Sequence, residues 1–500
     1  MTGSARSPRG RLGPATRAAD RARRRREIRR SYRATALSTV LPGVGLFRVN
    51  RVLASLIVVV FLVPLGYLGY RFARDGALGS ILQIGVDRRE LLLILGTVGV
   101  LALVWIIGII ATAWETRPRP VQGGDGLLLT LFTAVMCLVV LAPAALVING
   151  IDIQRETIQA VVTDTQREPT TVEGPDPWAG RPRMNLLLLG SDHEPDREGV
   201  RPDSIMVASI DTASGDTVFF GLPRNLQRVP FPTSNPLSEI YPQGFDCGSE
   251  CLLNAVWTLA EDRADLFPSD PSPGLSTTRD VVSEITGLTI DDTVLINLRG
   301  FQQLVDAMGG VTINATERVP IGGKVVDGVV VGINGWIEPG VQRMDGYHAL
   351  WYARSRATTD DFSRMRRQRC VVGAVIDQVD PLRMLARYPQ LAETIAENVQ
   401  VDIPAGDLGA WAELVLRMKD GRLQSLPVTN QVVNVADPDF DLIRSLVRDA
   451  LRPQPPAPSA TVTPTPDERD PGPTDTPSHA PSDGSSPTPN DVLTDLSASC

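Results

Sequence analysis

Apolar residues are gathered into blocks along this chain. Three long stretches, at about 52–70, 91–114 and 127–148, each come close to the roughly 20 residues that cross a bilayer. They are expected to be three membrane-spanning helices within a transmembrane region of residues 34–148. Residues 34–50 are also apolar, but Pro42, Gly43 and Gly45 interrupt them, and their pattern assigns no element. A cleaved signal peptide does not fit three stretches of this length. After residue 148 the pattern turns polar. Residues 149–183, with Thr170, Thr171, Gly174, Pro175, Pro177 and Pro182, read as a helical stalk and linker.

Shorter apolar runs then begin. Residues 184–189 (MNLLLL), 204–210 (SIMVASI) and 217–222 (TVFFGL) read as buried strands, and strand-like segments follow at 292–296 and 311–314. Between and after them, helical periodicity marks 251–264, 279–286, 301–308, 345–351, 362–379, 388–399, 406–418 and 440–451. Strands alternating with helices predict an α/β domain over 184–452, its sheet covered on both faces. Residues 453–500, rich in Pro, Ser, Thr and Asp, cannot bury a core and are expected to be disordered.

Charge adds an orientation. Residues 1–33 carry twelve Arg against Asp20 and Glu27, a net of +10, so the formal −8 of the whole chain leaves −18 for the rest. A basic head just before the first apolar stretch is expected to stay in the cytoplasm rather than to bind nucleic acid. Three crossings then put the domain outside. Four Arg in 71–90 and two in 115–125 favour the opposite orientation, and the head outweighs them. Among five cysteines only Cys247 and Cys251 are neighbours in sequence, and in an oxidising exterior they pair if Gly248 keeps the segment non-helical. Cys137 falls in a membrane stretch, Cys370 in a predicted helix and Cys500 at the terminus. The three His are scattered, which disfavours zinc.

The densest chemistry is YARSRATTDDFSRMRRQ at 352–368. On a helix following Asp361, Arg364, Arg367 and Gln368 share a face, while Arg354 and Arg356 point to one side of an extended segment. Arg366 and Arg369 fall off that face and are expected in solvent. Guanidinium forks suit phosphate oxygens. Asp192 follows the first strand, Asp203 precedes the second with Arg201 between them, and Arg224 follows the third. Strand ends are where open α/β sheets assemble ligand sites. Asp192 and Asp203 are candidate ligands for Mg²⁺ or Mn²⁺, which take few carboxylates and add phosphate oxygens and water. The blander reading makes the acids turn formers or caps and the arginines a solvated, salt-bridged helix.

Six motifs carry a resemblance: GSD at 190–192, RPDSIMVASID at 201–211, LPRN at 222–225, DAMGGVTI at 306–313, DGYHALWYARSR at 345–356 and DFSRMRRQR at 361–369. In this order and spacing they resemble the LytR-CpsA-Psr family of cell-wall glycopolymer ligases, over residues 186 to about 378. The PFP, YPQGF and CLLNAVWT stretches and the preceding spans look like its actinobacterial branch. One departure is Asn225, where many members have Asp. The resemblance implies a mixed central sheet with helices on both faces, in a multi-pass plasma-membrane protein whose catalytic domain is extracytoplasmic. It also implies transfer of a phosphoglycosyl polymer from a polyprenyl-pyrophosphate-linked glycan to a peptidoglycan acceptor. Carried over by motif, Asp192, Asp203, Arg354 and Arg356 are catalytic. Arg201, Arg224, Arg354, Arg356, Arg364, Arg367 and Gln368 would bind pyrophosphate, with Mg²⁺ or Mn²⁺ on the two acids. Apolar residues at 301–308 and 371–379 serve either core packing or a groove for the lipid tail. The same site with water as acceptor, or with none, would make a lipid-pyrophosphate hydrolase or sensor; a regulator binding DNA through the basic head is the remaining alternative.

Overall fold

The computed structural model describes residues 14–47, 50–75, 88–118, 123–161, 169–172, 176–192, 200–327, 329–380, 397–404, 406–452 and 493–496. The chain forms two compact units, Met1–Ile158 and Gln159–Cys500. The first contains α1 (Pro14–Val40), α2 (Arg51–Asp75), α3 (Arg88–Glu115) and α4 (Gly123–Val161). Within α2 to α4, Arg51–Arg74, Arg89–Thr116 and Gly124–Ile153 are long and apolar enough to cross a membrane. Val63, Leu65, Leu131 and Leu146 are exposed on these helices, which suits a lipid surround.

Of the segment at 34–50, which the pattern left unassigned, residues 34–40 end α1 and Val44–Leu46 form one 3-10 turn. It packs through polar groups. The Ser38 hydroxyl hydrogen bonds to that of Thr112 at 2.8 Å and accepts from the Gly45 backbone at 3.0 Å, while the Trp105 indole donates to the Ser38 carbonyl at 2.9 Å. Gly45 is required there, because a Cβ would overlap the Ala34 carbonyl. Such bonds hold apolar helices in register.

The second unit is built on a mixed seven-stranded sheet. Its strands are β1 (Arg183–Ser191), β2 (Pro202–Asp211), β3 (Thr217–Leu222), β4 (Asp292–Asn297), β9 (Val399–Val401), β10 (Leu423–Pro427) and β11 (Thr494–Asp495), in the order β11-β10-β3-β2-β1-β4-β9. β1 to β3 form an antiparallel meander, and β4 and β10 join it in parallel. Two ribbons lie outside the sheet: β5 (Val311–Ala315) with β8 (Gly340–Met344), and β6 (Val319–Val326) with β7 (Val329–Ile337).

Side chains alternate across the sheet with period two. Leu187, Val207 and Phe220 face a core shared with α5 (Val256–Asp262), α6 (Pro273–Thr286) and α11 (Phe440–Ala450). Met206, Ala208 and Phe219 face the other way, toward Trp178 and α10 (Leu408–Asp420). A third core joins the ribbons to α7 (Leu298–Met308), α8 (Gly346–Arg354) and α9 (Asp361–Gln378). Gly346 begins α8 where a Cβ would overlap the backbone of Gln302, so α8 lies directly on α7.

The helix expected at 251–264 is shorter. Cys247 and Cys251 form a disulfide, Gly248 adopts a φ of 84°, and the helix proper starts at Val256 after a 3-10 turn. The helix expected at 388–399 falls mostly outside the described residues, and residues 399–401 form β9. The tail expected to be disordered also lies outside them, apart from 493–496, which add β11 to the edge of the sheet.

Candidate functional site

A cavity of about 390 Å³ lies between the sheet and α7, α8 and α9. Leu188, Met206, Phe301, Leu304, Val372 and Ile376 are among its walls. Both helical segments weighed as core or groove therefore face it. The lining also carries the charged Asp192, Asp203, Arg354, Arg356 and Arg364 and the polar Gln368.

The strand pairing explains the acids. Gly190 pairs with Ser204 and Ser191 with Pro202, with a register shift between them, so Asp192 and Asp203 lie at the same sheet edge. Arg224, just after β3, donates to Asp203 and comes within 3.8 Å of Asp361. Asp361 opens α9, where a carboxylate also suits the positive end of the helix dipole. It pairs with Arg364 at 3.0 Å and lies 3.7 Å from Arg356. Three guanidinium groups thus converge on one carboxylate. Nothing in the motif spacing singled out Asp361, although an acid in the first turn of an arginine-rich helix was the available signal.

Each arginine meets a different environment. Arg364 is buried, and that burial lowers its pKa against the opposing pull of Asp361, while the guanidinium stays charged. Arg356 is half-exposed, and Arg354 lies 5.0 Å from the centre of the Trp351 ring. Arg201 is exposed at the start of β2 and outside the cavity lining.

Arg367, expected among the pyrophosphate ligands, is placed elsewhere. It is 1% exposed, and its Nε donates to the Tyr352 carbonyl at 2.8 Å. It also donates to the Ser355 carbonyl, to Thr359 at 3.3 Å and to Glu317 at 2.8 Å. Arg367 is therefore a brace for the segment that presents Arg354 and Arg356. Helix geometry accounts for the split: Arg364 and Gln368 are about 40° apart around the axis, and Arg367 is about 100° from Gln368. Arg369, expected in solvent, is buried 6% exposed, with its pKa pushed down to about 10 by burial and by Arg366. Arg366 is partly exposed and pairs with Glu317 at 2.9 Å.

Among the described residues no group of three or more His, Cys, Asp or Glu converges as a metal site. Two carboxylates lining a cavity beside cationic groups still fit Mg²⁺ or Mn²⁺, which complete their shells from phosphate oxygens and water.

Two aspartates set the helices that carry the arginines. Asp345 caps α8 by accepting from the His348 backbone at 2.9 Å, and Asp360 caps α9 by accepting from Ser363 at 2.8 Å. The His348 backbone bond chiefly lowers the Asp345 pKa, and hydrogen bonds from the Ser363 side chain and backbone lower that of Asp360. A depressed folded pKa gives stability that is present above the ordinary carboxylate pKa and lost as pH falls through the folded value. Melting temperature is therefore expected to drop below about pH 4. The double variant Asp345→Asn, Asp360→Asn keeps both caps and should flatten that drop in thermal melts across pH. An unchanged slope would exclude these caps as its source.

A protein-family model described as the LytR_cpsA_psr family matches residues 151–438, more than half of the chain. The polyisoprenyl-teichoic acid–peptidoglycan teichoic acid transferase TagU of Oceanobacillus iheyensis is 26% identical over 270 residues, covering 52% of this chain and 73% of that protein. The cell wall biosynthesis protein LcpA of Corynebacterium glutamicum is 24% identical over 309 residues, covering 55% and 57%. The crystal structure of TagV from B. subtilis aligns with a TM-score of 0.39 at 20% identity, covering 55% of this chain and 98% of that one. TagT bound to LI-WTA aligns with a TM-score of 0.39 at 17% identity, covering 57% and 96%. With its motifs in order along a mixed, helix-covered sheet, the chain belongs to the LytR_cpsA_psr family.

Proposed function

We propose that this protein is a membrane-anchored phosphotransferase that moves a phosphoglycosyl polymer from a polyprenyl-pyrophosphate carrier to peptidoglycan during cell-wall assembly. The carrying observation is one cavity with apolar walls on two helices and a sheet, and with Arg354, Arg356 and Arg364 gathered in its lining. That combination suits an amphiphile with an anionic head and a hydrocarbon tail. The names of two relatives, a teichoic acid transferase to peptidoglycan and a cell wall biosynthesis protein, support the same reading. The basic head supports a cytoplasmic N-terminus, with the second unit outside the plasma membrane.

In this reading the acceptor hydroxyl oxygen attacks the phosphorus that carries the glycan. The new P–O bond forms as the bond to the lipid-side phosphate breaks, and polyprenyl phosphate leaves with the electron pair. The hydroxyl proton passes to a carboxylate, Asp192 or Asp203. Arg354, Arg356 and Arg364 stabilise the charge that grows on the leaving phosphate, so catalysis is chiefly positioning and electrostatics. Mg²⁺ or Mn²⁺, held by whichever of Asp192 and Asp203 does not take the proton, would neutralise phosphate charge when bound.

The test uses the full chain in nanodiscs, a glycan-labelled polyprenyl-pyrophosphate carrier and peptidoglycan. Label is expected on the peptidoglycan. Release of label into solution without attachment would replace transfer by hydrolysis, and retention of intact carrier would leave a sensor.

A further inference from the structure

The basic head is part of a three-helix junction in the first unit. α1 lies against both α3 and α4: the Ser31 hydroxyl is 3.0 Å from that of Thr116, and the Tyr32 ring meets Phe132 edge-on with centres 4.8 Å apart. Nearer the start of α1, Arg24 pairs with Asp125 at 2.7 Å. Arg24, Ile28, Arg117, Pro118, Asp125 and Leu129 line a cavity of about 10 Å³ there. Arg117 directly follows the apolar span Arg89–Thr116, and Asp125 is the second residue of the span Gly124–Ile153. The cavity therefore sits where the apolar spans give way to the headgroup level of a bilayer.

The charges around it do not balance. Asp125 serves Arg24, while among the described residues Arg117 makes no ion pair. The Nε atoms of both arginines are buried and lack an acceptor. An N–H left in that state is costly, the more so on a cation. Arg25, Arg26, Arg29, Arg30 and Arg33 are exposed along the same helix and add to the positive field. The space admits about one oxygen atom, enough for a phosphate oxygen and too little for a whole sugar or nucleotide. Ile28 and Leu129 beside it offer apolar contact to the rest of an amphiphile.

We propose that Arg24 and Arg117 hold the phosphate of an anionic phospholipid, which ties the start of α1 to the ends of α3 and α4. A free phosphate ion offers the same oxygen, but the apolar flank and the bilayer level favour the lipid. The site belongs wholly to the first unit, so it does not depend on the transfer reading given above.

Native mass spectrometry of the full chain, released from nanodiscs holding equal phosphatidylglycerol and phosphatidylcholine, tests the site. Wild type is expected to retain phosphatidylglycerol in preference; equal retention of the two lipids overturns the proposal whatever the variants do. The Arg24→Gln, Arg117→Gln variant should lower that retention about 25-fold, about fivefold for each basic charge at a membrane surface. The Arg25→Gln, Arg26→Gln variant removes the same charge from exposed positions, and at high salt it should change retention less than about threefold. Equal losses in the two variants would reduce the site to diffuse attraction by α1 and overturn it. Loss of the preference on addition of inorganic phosphate would overturn the lipid assignment in favour of the free ion.

Discussion

Replacing Arg356 by Ala is expected to lower transfer about 10²- to 10³-fold while leaving the stability of the folded chain within about 0.5 kcal/mol. Two features of its setting combine to give this result. Arg356 lines the cavity with nearly half of its side chain exposed, and its ion pair with Asp361, at 3.7 Å, is longer than a hydrogen bond. The guanidinium therefore contributes little to folding, and in the proposed mechanism it would meet charge that grows on a leaving phosphate. Arg364 would give a less readable answer, since it is buried against the same carboxylate at 3.0 Å and its loss perturbs Asp361 directly. The measurement is the single-turnover rate with labelled carrier, beside a thermal melt. Transfer within threefold of wild type, at an unchanged melting temperature, would remove Arg356 from the phosphate-binding set.

Arg367→Ala should do the opposite: destabilise the fold by about 3–5 kcal/mol, and lose activity only as a consequence. The side chain is 1% exposed and serves the carbonyls of Tyr352 and Ser355, the Thr359 hydroxyl and the Glu317 carboxylate together. Truncation strands buried acceptors that water cannot easily reach, and each one adds to the loss. Glu317 is partly exposed and can rehydrate, which keeps the total from rising further. Denaturant titration gives the loss directly. A variant that stays as stable as wild type but fails to bind carrier would return Arg367 to the list of ligand residues. The contrast between two arginines eleven positions apart is itself a test of the site, since one composition-level reading treats them alike.

That contrast also shows how far the sequence could be read. Dense apolar runs such as MNLLLL and TVFFGL identified the central strands: TVFFGL is buried on both faces, and in MNLLLL the buried Leu187 and Leu189 alternate with Leu186 and Leu188, which line the cavity. β6 and β7 escaped, since they form a ribbon with Val325, Val326, Val329 and Val331 exposed and with Gly322, Gly323 and Gly332 at positive φ. Only one end of the ribbon is buried, at Val319, Ile321 and Ile337, which is too short a stretch to read as alternation. β10 is five residues long and ends in Pro427, and β11 sits within a tail whose composition argued against any structure. The acids at strand ends were legible because order and pairing fix which edge they reach. The division of labour among the arginines was not, because a spacing of three or four residues puts side chains on neighbouring faces without saying which neighbour is a cavity and which is a packed loop. Asp361 was legible only as one of an acidic pair amid the arginines, with no role assigned, and Glu317 became visible only once those faces had partners.

α9 joins these observations in a further way. It begins with the carboxylate that gathers three guanidinium groups, and it reaches Ile376 on the apolar wall. Arg364 and Ile376 are twelve residues apart, about 18 Å along a rigid rod. Such a rod acts as a ruler with both marks engraved on it, so the offset between the charged and apolar parts of the cavity is set by helical pitch and not by loop conformation. An inserted residue between those marks would turn the distal wall by about 100°, and no local repacking at either end could bring the two scales back into alignment.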